Sequence, residues 1–265
     1  SEHSRIVVFG ASNTERHMPT VHWSDVLEVG LRSCYGKKPH VINSGVSGNN
    51  TREGLARFDR DVASFSPDIV IITFAGNDCN PNPPKYVPEE EFNENMDLII
   101  SKIRALGAIP VLQTYYKMHY DRMEAKRAEL ARRYMILVRE AAARNNVFLV
   151  DQFKYFNAVP EETLIYKLLL NPMHVNEFGN TFIGVNLLHH FGIDALGDGS
   201  GRQGLGMGFL QGAFGGGKVS GAQLGVQNLQ KFFLIQRITG LALVQREHTV
   251  GIAVGRGSHG LLHGS

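Results

Sequence analysis

The sequence predicts an α/β chain, a three-layer α/β/α domain built around a parallel sheet of five strands, and two patterns predict it. Short runs rich in Ile and Val recur as far as Val150 without the polar alternation of a sheet that faces water. Such runs belong to strands covered on both faces. Between them lie stretches with apolar residues at helical spacing, and this alternation builds parallel βαβ units with helices on both sides of the sheet.

The first strand is expected at residues 6–9, Ile-Val-Val-Phe, which stop at Gly10 just before Ser12. A helix follows over 23–31, where Trp23, Val26, Leu27 and Leu31 share a face and Gly30 and Gly36 loosen the end. The second strand is expected at 40–42, and a loop of small residues over 43–51 leads into a helical pattern at Leu55, Phe58, Val62 and Phe65. Residues 68–74, with Ile69, Val70, Ile71 and Ile72, are the third strand and end on Ala75-Gly76-Asn77-Asp78. Pro81, Pro83, Pro84 and Pro88 forbid regular structure, so 79–88 is expected as a long exposed loop at the same edge as Ser12. The pattern over 89–106 is a helix that buries Phe92, Met96, Ile99, Ile100 and Ile103. Residues 109–112 are the fourth strand. The Tyr115, Tyr116, Met118, His119 and Tyr120 that follow are expected to form an aromatic lip, with Tyr115 and Tyr116 meeting substrate. A charged amphipathic helix spans 122–144, a fifth strand spans 147–150 and ends on Asp151, and 170–179 lead into a last helix through Leu188.

At 265 residues and 43% apolar content the chain can bury a substantial core. Its conventional domain is expected over residues 1–196. Beyond Leu196 the composition changes: well over half of the 29 glycines lie there, and from Gly201 on Glu247 is the sole acid. Residues 197–265 are expected to be a Gly-rich, low-complexity tail with apolar runs at 232–235, 241–244 and 250–254. Such a tail is an association arm that joins copies of the chain into a homo-oligomer, or an extension foreign to the fold.

A net charge of +2 gives no reason to expect nucleic acid or an acidic membrane as partner. No run approaches the roughly 18 apolar residues that span a bilayer, so no membrane span is expected. The amino terminus lacks the basic-then-apolar pattern of a signal peptide, which points to the cytoplasm, although a leader removed before Ser1 would leave the same sequence. Cys34 and Cys79 have no neighbouring metal ligands, so neither a disulfide framework nor a zinc cluster is expected.

The carboxyl edge of an open α/β sheet is where ligands bind, and four of the expected loops meet there. Acyl transfer to water needs a nucleophile, a base within reach and donors aimed at the developing oxyanion. Ser12 offers a hydroxyl, Gly48 a backbone N–H on a loop of small residues, Asn77 a side-chain amide and His174 an imidazole. Each has an ordinary reading as well: Ser12 and Glu15 have the spacing of a helix capping box, Asn77 that of a turn, and His174 that of a surface residue.

Taken in order, Gly-Ala-Ser-Asn-Thr, Asn-Ser-Gly-Val-Ser-Gly-Asn-Asn-Thr, Phe-Ala-Gly-Asn-Asp and Asn-x-x-His-x-Asn-Glu resemble the four blocks of the SGNH, or GDSL, hydrolase family over residues 5–188. The resemblance implies a flavodoxin-like sheet, Ser12 as nucleophile, His174 as base, and an oxyanion hole of the Ser12 N–H, Gly48 and Asn77. It implies neither metal nor organic cofactor, and substrates that are small-molecule or carbohydrate esters.

Two positions depart from that pattern. Ala11 stands where the family has aspartate before the serine, and Asn171 stands where it has aspartate three residues before the histidine. An amide can orient an imidazole but cannot stabilise imidazolium as a carboxylate does. Asp151 is the nearest alternative acid by strand position. The expected function is a serine esterase acting on short acyl esters, including acetyl esters of carbohydrates, through an acyl-enzyme. An acyltransferase using the same site, and a non-catalytic ester- or glycan-binding descendant, are the alternatives.

Overall fold

A computed structural model describes residues 4–16 and 20–193. The expected tail over 197–265, and the domain boundary at Leu196, lie outside the described residues. Five strands, β1 (Ser4–Gly10), β2 (Pro39–Gly45), β3 (Ile69–Thr73), β4 (Ile109–Gln113) and β5 (Phe148–Val150), form one sheet in the order β2-β1-β3-β4-β5. Every pairing is parallel. This is the flavodoxin-like order, with its topological switch between β1 and β3.

The two central strands carry the longest apolar runs because both of their faces are covered. Ile6 to Phe9 and Ile69 to Ile72 are buried. Helix α1 (Trp23–Tyr35) packs against α8 (Glu177–His190) on one face, and α4 (Glu89–Ala105) packs against α2 (Thr51–Ala56) and α5 (Ala125–Arg144) on the other. Phe92, Met96, Ile99, Ile100 and Ile103 are the buried stripe of α4, as their spacing dictates. Among the described residues no helix is long and apolar enough to cross a membrane.

The expected helix through Leu55, Phe58, Val62 and Phe65 is broken. It consists of α2, a one-turn α3 (Phe58–Asp61) and a tighter turn at Ala63–Phe65, with Phe65 partly exposed. The break falls at Arg57, whose buried guanidinium donates to Gly10 O at 2.7 Å, Ser44 O at 2.9 Å and Asn49 Oδ1 at 2.6 Å. Holding these acceptors outweighs one more turn of helix, because the bonds to the Gly10 and Ser44 carbonyls are buried and those groups need donors. After β5, Asp151 caps α6 (Gln152–Asn157), a one-turn α7 (Glu161–Thr163) follows, and the chain then turns toward α8.

Pairing register brings the strand ends level. Gly10 lies beside Gly45 on one side and Thr73 on the other, so the loops leaving β1, β2 and β3 emerge together at one edge.

Candidate active site

Ser12 stands two residues beyond β1 on a tight turn in which Ala11 O accepts the N–H groups of Thr14 and Glu15, each at 2.9 Å. The turn is fixed from below by the buried Trp23, whose indole N–H donates to Asn13 O at 2.7 Å. Residues 12–15 form a turn and not the first turn of a helix. The capping-box spacing therefore has another use: the Glu15 carboxylate accepts from Ser47 N at 3.0 Å and from the Ser47 hydroxyl, tying the first loop to the second. Where the family has a carboxylate before the serine, Ala11 is buried, and Glu15 supplies the acid that crosses between these loops.

The second loop carries Gly48 at φ 78°, a conformation open to glycine at little cost. Asn50 then caps α2 in a reciprocal box with Glu53. The third loop is pinned to it by Asp78, fully buried, which accepts from Thr51 N at 2.8 Å, Thr51 Oγ1 at 2.6 Å and Ala75 N at 3.1 Å. Burial pushes the Asp78 carboxyl up, against the pull of these donors. Ala75 sits at φ 106°, a strained conformation for a residue with a side chain, immediately before Gly76-Asn77. The Asn77 amide donates one hydrogen to Asn49 O at 2.8 Å, and an amide nitrogen has a second to give.

The fourth loop is clasped at its base. Leu169 and Val175 form an antiparallel bridge, and Leu170 N donates to His174 O at 2.8 Å. Asn176 closes the loop by capping α8, accepting from Phe178 N and Gly179 N. At the tip His174 Nε2 lies 3.0 Å from Ser12 Oγ, and His174 Nδ1 lies 3.1 Å from Asn171 Oδ1. The same amide oxygen accepts the backbone N–H groups of Met173 and His174, each at 2.9 Å. Ser12, His174 and Asn171 thus form one relay, although Ser12 and His174 are 162 residues apart.

Other candidates stand elsewhere. Asp151 caps α6 and is paired with Arg139 at 2.8 Å, so its carboxylate is spent on structure. The expected aromatic lip is absent. Tyr115 and Tyr116 are 3% and 2% exposed, Tyr115 packing so close to Gly76 that a β-carbon there would stand 2.0 Å from its ring. Two tyrosines directly after a buried strand continue its burial instead of reaching solvent. The Tyr116 hydroxyl instead contacts Asn13 Oδ1 at 2.6 Å, Met173 O at 2.8 Å and Val175 N at 3.1 Å. Cys79 is no rival nucleophile, since burial pushes its thiol up to about 12 and leaves it protonated at neutral pH.

Sequence reasoning had not singled out Arg57, Asn13 or Thr51 as site supports. The spacing of Arg57 carries no signal, and only its bonds to Gly10, Ser44 and Asn49 give it away. Ser12 and His174 open into a small cleft whose walls include the polar residues Glu15, Thr20, His22 and Asn180.

Comparison with known proteins finds a family and relatives for the chain. The model of the GDSL-like lipase/acylhydrolase family matches residues 8–181. A lipoprotein of Bacillus subtilis (strain 168) called YqeF, itself uncharacterised, is 28% identical over 199 residues, 63% of this chain and 80% of its own. An acetylxylan esterase of Geobacillus stearothermophilus is 24% identical over 160 residues, 58% of this chain and 73% of its own. The crystal structure of Axe2, an acetylxylan esterase from Geobacillus stearothermophilus, superposes with a TM-score of 0.59 at 22% identity, covering 71% of this chain and 94% of that one. A second acetyl xylan esterase, AlAXEase, gives 0.62 at 19% identity over 70% of this chain and 98% of that one.

Proposed function

The chain belongs to the GDSL-like lipase/acylhydrolase family and is a carboxylic ester hydrolase, and we propose that it removes short acyl groups, acetyl above all, from carbohydrate hydroxyls through an acyl-enzyme on Ser12. The observation that carries this reading is the contact between Ser12 Oγ and His174 Nε2, with Nδ1 of the same ring on Asn171. With Nδ1–H donated to the amide oxygen, Nε2 is the bare acceptor that a general base requires.

Ser12 Oγ attacks the ester carbonyl as its proton passes to His174 Nε2, and the carbonyl electrons move onto oxygen. The Ser12 and Gly48 N–H groups and the second Asn77 hydrogen are the donors assigned to that oxyanion. Collapse of the intermediate breaks the bond to the leaving alcohol, which takes the proton from His174. Water then repeats the sequence on the acyl-serine and releases the acid. Asn171 holds the ring in the correct tautomer throughout but brings no charge to the imidazolium, so the barrier includes a term that a carboxylate would have lowered.

Support for a carbohydrate substrate comes from two similar proteins whose names are acetylxylan esterases. The burial of Tyr115 and Tyr116 removes the aromatic wall on which an acyltransferase reading would have relied.

The test is hydrolysis of 4-nitrophenyl acetate and of acetylated xylo-oligosaccharides, together with labelling by a fluorophosphonate followed by intact mass. Wild type is expected to turn over both esters and gain one phosphonyl group. Ser12→Ala should lose both properties while its stability changes by less than about 1 kcal/mol, as for a partly exposed turn residue. Labelling that persists in Ser12→Ala would place the nucleophile elsewhere.

A further inference from the structure

We propose that Tyr116 is a positioning residue whose buried hydroxyl sets the gap between Ser12 and His174. The proposal rests on the esterase reading for its kinetic consequences and on geometry alone for its structural one. A single oxygen atom touches the neighbour of the nucleophile and both neighbours of the base: Asn13 follows Ser12, and Met173 and Val175 flank His174. The two catalytic side chains come from loops 162 residues apart. Their contact is only as well defined as the link between those loops.

The bonding is demanding. A phenol has one proton and two lone pairs, so Tyr116 accepts from Val175 N–H and gives its proton to an acceptor among Asn13 Oδ1 and Met173 O. Asn13 and Val175 lie nearly out of water, 9% and 5% exposed, and Met173 is half-buried. The ring has no freedom to carry the hydroxyl elsewhere: it stands 5.1 Å from the Phe156 ring and 6.3 Å from that of Tyr115, centroid to centroid. It stands three residues beyond β4, and Thr114 between them donates its N–H to Val150 O of β5 at 3.1 Å, so the oxygen is referred to the sheet. Burial raises the phenol well above its ordinary range, which favours keeping the bridging proton. Tyr116 bonds to neither Ser12 Oγ nor the His174 ring, so it acts through its neighbours and exchanges no proton with substrate.

The test is Tyr116→Phe, which removes one oxygen and keeps the packing. A misplacement of about 1 Å in a reacting pair costs on the order of 10²-fold in rate. For 4-nitrophenyl acetate, kcat is expected to fall between about tenfold and that limit while KM stays within about twofold. The rate of fluorophosphonate labelling should fall by the same factor. A purely structural tyrosine would lower the unfolding temperature and leave kcat and labelling unchanged well below it. That result, or a rise in KM at constant kcat, overturns the proposal. The crystal structure of the variant decides independently of turnover: the Ser12 to His174 contact should open beyond hydrogen-bond reach, and an unchanged contact overturns the proposal even if the wild type proves inactive on esters. Inactivity of wild type with an opened contact in the variant would instead count against the esterase reading alone. If Tyr116→Phe does not fold, Asn13→Ala carries the same test. It frees the nucleophile turn from the hydroxyl while Met173 and Val175 stay bound, and an unaltered kcat there would overturn the proposal.

Discussion

Asn171 gathers three donors onto one amide oxygen, and that economy explains how a neutral residue serves at a position where charge would help. The two backbone N–H groups fix the amide, and the amide fixes the imidazole. Asn171→Asp preserves the shape and all three acceptor contacts and adds a charge beside the ring. In a serine protease triad the acid-to-amide change costs about 10⁴ in kcat, much of it through the wrong tautomer. Here the tautomer is already held, so the gain in kcat from Asn171→Asp should be smaller, roughly tenfold or about 1.4 kcal/mol. The limb of the pH–rate profile that reports deprotonation of His174 should move to higher pH, because a carboxylate favours the protonated ring. Steady-state kinetics across pH checks both. If Asn171→Asp and Asn171→Ala both leave kcat unchanged, the ring is oriented by another group.

Among the elements, the short helix α2 links the second and third loops through its first residue. Thr51 gives Asp78 both its N–H and its hydroxyl, and the hydroxyl also accepts from Asn95 at 3.0 Å. Thr51→Val keeps the shape and the backbone bond but leaves the buried carboxyl of Asp78 short of a donor. That should cost about 1–3 kcal/mol in denaturant unfolding. The kcat should also fall, since Asn49 and Asn77 on the joined loops lose their common anchor. Unaltered stability would mean that the backbone bond alone holds the loops. This part of the site was only half legible in the chain. Uninterrupted runs such as Ile69 to Ile72 announce buried strands, and Gly48 and Asn77 stand out in loops of small residues. Arg57 gave no signal and the tyrosines were misjudged, because their roles depend on partners that sequence spacing does not supply. The Arg57 acceptors come from β1, β2 and a loop, and the partners of the Tyr116 hydroxyl lie 103, 57 and 59 residues away. Periodicity reports which face of an element is apolar; it does not report which distant carbonyl needs a donor.

At the scale of the whole molecule, the five-stranded sheet and its two helical layers close a continuous apolar core within the described residues. The hydrogen-bonded chain of Ser12, His174 and Asn171 and the donors assigned to the oxyanion all come from residues 12–174, at the edge of that core. The family match also ends at residue 181, before the composition changes. We therefore propose that the Gly-rich residues 197–265 are dispensable for catalysis and govern association instead. Their apolar runs at 232–235, 241–244 and 250–254 stand in a stretch whose only acid beyond Gly201 is Glu247. Apolar segments with so little charge beside them tend to find partners in other copies. A chain ending at Leu196 should keep the far-UV circular dichroism of an α/β fold and the kcat of the full chain, and should run at a lower assembly mass in light scattering than the full chain, after allowing for the residues removed. A soluble truncated chain of unchanged assembly state would move the oligomer interface onto the catalytic domain. An insoluble one would place part of 197–265 in the core and shift the domain boundary beyond Leu196.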